Sequence, residues 1–319
     1  MKIFRRAIHQ TPRLLIGLLA AVLFVSTAEG QNKQNSQNGQ EKTILVTAVA
    51  HNEHTTSIAK RLQPSDFAVL ENKRTQRIVS VKRAEEEPMI LSVLVQDDLV
   101  GRVNNELREI KDFIRDLPAD SRVMVGYITS GTLQVRQDFT TDKNLAADSL
   151  RVLLSSNASS PFNPYIEVIE ALKRFDLQPK GWRMILLISD GLDTSHGFSS
   201  ANPYFSIDLD RAIVEAQIRS VSVFTMYAPS VGLTSFSRHA VNYGQGALLR
   251  LANETGGDSF FSGTDFVTFH PYFHEYAELL KYQWLITYRS NNTAKGFRRI
   301  DVTTDFDIHL HHAAGYVAK

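Results

Sequence analysis

Two apolar, strand-like runs in this chain end in carboxylates. Met89–Val95 (MILSVLV) leads into Gln96-Asp97-Asp98, and Arg183–Ser189 (RMILLIS) leads into Asp190-Gly191-Leu192-Asp193. In open parallel sheets, ligands sit beyond the carboxyl ends of the strands. Two neighbouring strands that deliver carboxylates to one edge would make an oxygen-rich site for a hard cation such as Mg²⁺, which takes about six oxygens and keeps several as water. The competing reading is structural: Asp97 and Asp190 cap the turns and helices that follow.

Other chemistries fare worse. The chain has no cysteine, which excludes thiol nucleophiles, disulfides and thiolate metal sites. His270 and His274 share helical spacing, but Pro271 lies between them and no HExxH motif exists. His309 and His311 would share a strand face, without a third ligand to fix a zinc ion. Ser189, Ser195 and Ser199 lie near Asp190, Asp193 and His196, yet no G-x-S-x-G elbow presents a nucleophile. Adjacent strand residues point to opposite faces, so Asp97 and Asp98 cannot both address one scissile bond. Phosphate-cradling glycine motifs are missing, which argues against nucleotide cofactors. The net charge of +1 gives no reason to expect nucleic acid.

The elements that position these acids follow from periodicity. Lys2, Arg5, Arg6 and Arg13, the apolar run Leu14–Val25 and the small residues Ser26–Gly30 have the three-part form of a secretory signal peptide over residues 1–30. The run is shorter than the ~20 residues of a spanning helix. Residues 31–42 are polar and read as a linker. Residues 43–85 alternate like strands and are predicted to be a small β segment without helix. From residue 86 to 281, strands alternate with helices, the pattern of a doubly wound, mostly parallel α/β sheet. Val103–Leu117 carries an apolar helical face, Leu145–Leu154 and Tyr165–Phe175 read as helices, and Thr132–Val135 as a hairpin partner for Arg122–Ile128. Ser206–Arg219, Leu248–Glu254 and much of Asp265–Tyr282 are predicted helices. Residues 282–319 read as a β-hairpin, Gln283–Arg289 with Phe297–Thr303, packing on 43–85 as an accessory β module.

These stretches resemble a von Willebrand factor A (VWA) domain and, more narrowly, the VWFA-related acidobacterial family. The match is carried by Pro64–Asn72 (PSDFAVLEN), Glu87-Pro88 before an apolar strand, Asp138–Asp142 (DFTTD), Ile188–Gly191 (ISDG), Thr255–Gly257 and Gly315-Tyr316. The resemblance implies a metal-ion-dependent adhesion site built from Asp-x-Ser-x-Ser, a Thr from a second loop and an Asp from a third. With Asp97 in the Asp position, the Ser positions hold Leu99 and Gly101; with Asp98 they hold Val100 and Arg102. Asn163 is the best oxygen donor in the second loop, and Asp190 matches the third-loop Asp. The implied site is therefore degenerate, with Asp97, Asp98, Asn163 and Asp190 as its metal-ligating set and Mg²⁺ or another divalent cation as the one cofactor the pattern admits.

Two long segments, Leu192–Phe205 and Pro229–Gly246, follow core strands and intersperse Phe198, Tyr204, Phe236 and Tyr243 among Ser, Gly and Asn. Aromatic anchors among adaptable polar residues suit protein recognition. The expectation is a secreted or periplasmic, non-catalytic protein-binding module with no membrane span after signal cleavage. A metal-independent scaffold and a hydrolase using the acidic edge are the alternatives.

Overall fold

The computed structural model describes residues 40–318 other than His51, Ala158, Ser159, Pro161, Phe162, Ser262, Thr264, Asp265 and Val267. Residues 1–30, expected to be a signal peptide, and residues 31–39 of the expected linker lie outside these. In chain order the elements begin with β1 (Glu41–Ala48), α1 (Glu53–Arg61), β2 (Ala68–Glu71), β3 (Arg74–Thr75) and β4 (Arg77–Arg83). The alternating core follows with β5 (Ile90–Gln96), α2 (Leu107–Asp116), β6 (Arg122–Thr129), β7 (Thr132–Thr140), α3 (Lys143–Asp148), α4 (Tyr165–Arg174), β8 (Arg183–Ser189) and α5 (Ile207–Arg219). It continues through β9 (Ser222–Tyr227), α6 (Arg238–Thr255), β10 (Ser259–Phe260) and α7 (His270–Leu280), then β11 (Gln283–Arg289), β12 (Gly296–Thr303), β13 (Leu310–His312) and β14 (Gly315–Ala318).

The central sheet has the order β10-β9-β8-β5-β6-β7. All its pairs are parallel except β6 with β7, a hairpin at one edge. This is the doubly wound α/β architecture expected from the alternation of elements. Every residue of β5, β8 and β9 is buried, because helices cover both faces. Period-2 geometry splits β5 between the layers: Leu91, Val93 and Val95 pack with Ile110, Ile114, Phe273 and Tyr276 of α2 and α7, while Ile90 and Leu94 pack with Val168, Leu209 and Leu248 of α4, α5 and α6.

The flanks build two further four-stranded sheets, β13-β1-β11-β4 and β14-β12-β2-β3. Their apolar faces share one core that includes Ile44, Val46, Val69, Trp284, Ile286, Ile300 and Val302. Between them Glu71 and Arg298 are both buried; Glu71 accepts from Tyr288, Tyr316 and Ser290, and Arg298 lies 3.5 Å from it.

Several elements differ from their sequence-based expectation. The segment 43–85 contains helix α1, capped by a reciprocal Asn52–Thr55 box. It buries only Ile58 and Ala59, too little to leave a periodic stripe. Glu41 and Lys42 belong to β1, not to the linker. Helix α3 stops at Asp148, whereas the prediction ran to Leu154. Strands β11 and β12 do not form a hairpin: β11 pairs with β1 and β4, and β12 with β2 and β14. Helix α6 starts at Arg238, ten residues before its expected start at Leu248. Gly244 and Gly246 had read as loop residues, yet Gly244 sits where a Cβ would lie 2.0 Å from the Asp190 carbonyl oxygen. The glycine serves close helix–turn packing there.

Candidate functional site

Parallel pairing of β5 with β8 sets Val95 beside Ile188, so the turns after Gln96 and Ser189 emerge together. The loop after β9 joins them. Val100 N–H donates to Pro229 O (2.9 Å), Val231 N–H donates to Asp98 O (2.8 Å), and Leu99 bridges to Ser230.

Alternation along the strand decides which acid faces which neighbour. Gln96 and Asp98 share one face. Gln96 Nε2 donates to Asp98 Oδ1 (2.7 Å), while Gln96 Oε1 accepts from Ser189 Oγ and from Asp190 N–H (3.2 Å). Asp190 is nearly closed from solvent; its Oδ1 accepts from Leu192 N–H (3.1 Å) and its Oδ2 from Thr234 Oγ1 (3.0 Å). Burial raises the Asp190 carboxyl above the ordinary carboxylate range, opposed by the Leu192 amide and by the hydroxyls of Ser230 and Thr234. Asp98 is fully buried. Burial first, and the Asp190 charge second, push it up to about 6, against hydrogen bonds from Ser160 and Gln96. Its Oδ2 has no hydrogen-bond partner among the described residues.

Asp97 points the other way. Arg151 holds it with both terminal nitrogens, Nη1 to Oδ1 at 2.7 Å and Nη2 to Oδ2 at 2.9 Å, and Leu154 N–H adds a third bond (3.0 Å). The guanidinium carbon lies 4.2 Å from the Tyr127 ring centroid. The Tyr127 hydroxyl accepts from Arg151 N–H and donates to Arg151 O, both at 2.8 Å. This anchoring of residues 151–154 explains why the helix expected there ends early. Asn163 is likewise placed elsewhere: its Oδ1 accepts from the first-turn amides of Tyr165 and Ile166, and its Nδ2 donates to Asp208.

Of the four expected ligands, the structure brings only Asp98 and Asp190 together. Gln96, at the end of β5, bonds to both, while Asp97 is turned to Arg151 and Asn163 caps α4. A divalent cation would need oxygens converging on one point. Gln96 instead turns an N–H toward Asp98, both Asp190 oxygens already accept hydrogen bonds, and Val100 offers no donor atom. Among the described residues no group of three His, Asp or Glu side chains is placed to hold a metal ion. The residues present do not fit a tightly bound divalent cation; the Gln96 carboxamide knits the two strand ends together.

The expected recognition residues lie in the segments that follow β8 and β9. Tyr204 is 77% and Phe236 75% exposed, with Phe205 at 68%; Phe198 is partly exposed and lies 5.7 Å from Tyr243. Tyr243 is a half-buried residue of α6, not of a loop. The segment after β8 is anchored: Leu192 and Ala201 pack on Ala240, Asp193 accepts from Ser195 and Ser206, and Arg250 reaches Pro203 O (2.8 Å) and the Tyr204 ring. Val152 and Leu154 are also exposed on the segment that Asp97 tethers. Among the described residues the histidines form no metal-holding group: His270 faces Glu109 and His311 is bonded to Gly257 O.

Sequence reasoning missed Gln96, Arg151, Ser230 and Thr234. Only Gln96 carried a signal, through its two-residue offset from Asp98.

The strand order and the single antiparallel edge define a VWA-like α/β fold. No family model and no curated protein matches the chain in sequence. Among solved structures it is similar to an aerotolerance-related membrane protein from Bacteroides fragilis, with 12% identity over 60% of this chain and 98% of that one and a TM-score of 0.42. It is also similar to the conserved hypothetical protein BatB from Bacteroides thetaiotaomicron (14% identity, 60% and 97% of the chains, TM-score 0.42) and to the SpRpn10 VWA domain (13%, 50% and 82%, TM-score 0.32). The likeness is one of chain path at low identity.

Proposed function

We propose that the chain is an exported, non-catalytic protein-binding module that works without a metal ion, its contact surface being the loop edge beyond β5, β8 and β9. One observation carries this reading: exposed aromatic side chains at Tyr204, Phe205 and Phe236 lie in the segments that follow β8 and β9, the strands whose ends join a buried, internally bonded polar network. Large rigid side chains on a fixed support lose little entropy on binding and supply the anchors that dominate protein interfaces. The acids beneath them are closed from solvent and would act as supports of the loops, not as reagents. Export is supported by the signal-like residues 1–30, and no helix among the described residues is long and apolar enough to cross a membrane.

The test is capture from the native envelope in EDTA, comparing wild type with a Tyr204→Ser/Phe236→Ser double variant. The expected result is a specific partner retained by the wild type and lost by the folded variant. Equal capture by both proteins, or capture abolished by EDTA, would overturn the proposal.

A further inference from the structure

A polar cavity of about 450 Å³ lies at the amino ends of β8 and β9, away from the loop edge. Four cations, Lys42, Lys180, Arg183 and Arg219, line it against two acids, Glu41 and Asp176. The acids are already neutralised. Asp176 pairs with Arg219 (Nε to Oδ1 2.9 Å), and Glu41 pairs with Arg289 at 2.7 Å. Arg183 is 8% exposed and spends its guanidinium on the backbone carbonyls of Gln178, Pro179 and Arg219. Neither Lys42 nor Lys180 has an ion-pair partner among the described residues. Lys42 Nζ sits 4.4 Å from the Tyr316 ring centroid, half-buried. Its ammonium is held below the usual range by burial first, then by Lys180 and Arg298. The charge that opposes them at Lys42 is that of Glu71, itself beside Arg298. Like charges gathered in a concave site cost folding free energy, which an anion would relieve.

We propose that this cavity binds a small phosphomonoester. Such a group carries about −1.5 to −2 charges at neutral pH, which matches the two lysines of the lining, Lys42 and Lys180, that have no ion-pair partner among the described residues. Lysine ammonium groups serve phosphate as mobile point charges. The cavity volume falls in the roughly 300–1,000 Å³ range of small-ligand sites, larger than a bare phosphate needs. Gln178 lines the same wall, and its Oε1 is buried without a hydrogen-bond donor among the described residues. A hydroxyl on the ligand would satisfy it. A dicarboxylate would bring the same charge without that hydroxyl, so the two classes are separable.

The experiment is calorimetric titration of the purified full chain at low ionic strength with inorganic phosphate and, separately, with succinate. Phosphate is expected to bind saturably at one site, more tightly than succinate, and to raise the melting temperature. Lys180 is exposed, so Lys180→Gln should fold normally and weaken phosphate binding at least fivefold. Absence of saturable phosphate binding, tighter binding of succinate, or unchanged affinity in Lys180→Gln would overturn the proposal.

Discussion

Replacing Asp98 by asparagine should stabilise the protein at neutral and alkaline pH. The carboxyl is fully buried, and its folded-state pKa of about 6 stands above the ordinary 3.8. Below pH 4 both the folded and unfolded states hold the proton and the group is neutral in its effect. Between pH 4 and 6 the unfolded chain releases the proton while the folded chain keeps it, so stability falls as pH rises. Above pH 6 the full penalty is present. A shift of roughly two units at about 1.4 kcal/mol each gives about 3 kcal/mol. Asparagine keeps the acceptor that Gln96 Nε2 needs and replaces the unpartnered Oδ2 by a donor beside Asp190. Urea unfolding at pH 4, 6 and 8 reads the effect directly. Asp98→Asn should gain about 2–3 kcal/mol at pH 8, with the gain vanishing near pH 4. Lower stability at pH 8, or a gain independent of pH, would refute the argument. A bound cation would reverse the sign: Mg²⁺ at a hundred times its dissociation constant would stabilise the wild type by about 2.7 kcal/mol, and the substitution would forfeit it.

Further substitutions probe the same edge and the residues that support it. Gly244→Ala sets two effects against each other: alanine gains about 1 kcal/mol of helix propensity, but its Cβ meets a backbone oxygen that cannot rotate away. Net destabilisation of about 1–3 kcal/mol is expected in thermal or urea unfolding. Arg151→Ala leaves Asp97 buried with only the Leu154 amide; because Arg151 is itself one-quarter exposed, the loss should fall near the lower end of the ~3–5 kcal/mol seen for broken buried pairs, and Asp97→Asn in the same chain should recover part of it. Tyr204→Ser and Phe236→Ser, both at exposed positions, should change stability by less than about 0.5 kcal/mol while abolishing partner capture.

The strands that matter were legible because burial on both faces writes a continuous apolar run, as in Met89–Val95 and Arg183–Ser189. Their shared edge followed from that. The facing of the acids did not: with a side-chain period of two, a one-residue error exchanges Asp97 for its neighbours, and only the fold shows Gln96 meeting Asp190. Arg151 could not have been assigned to Asp97, since 54 residues separate them and α2, β6, β7 and α3 lie between them in the chain. The β11–β12 misreading has a similar origin. A turn-rich segment between two strands signals a hairpin locally, whereas here Ser290 and Arg298 converge on Glu71 from two different sheets.

The account's central claim is that the Gln96–Asp98–Asp190 network closes the loop edge without a metal. Titration of Mn²⁺ into EDTA-stripped protein at pH 7, followed by calorimetry, tests it most directly. The network predicts no saturable heat up to millimolar metal in wild type or Asp98→Asn; a one-site isotherm in the wild type that disappears in Asp98→Asn would contradict it.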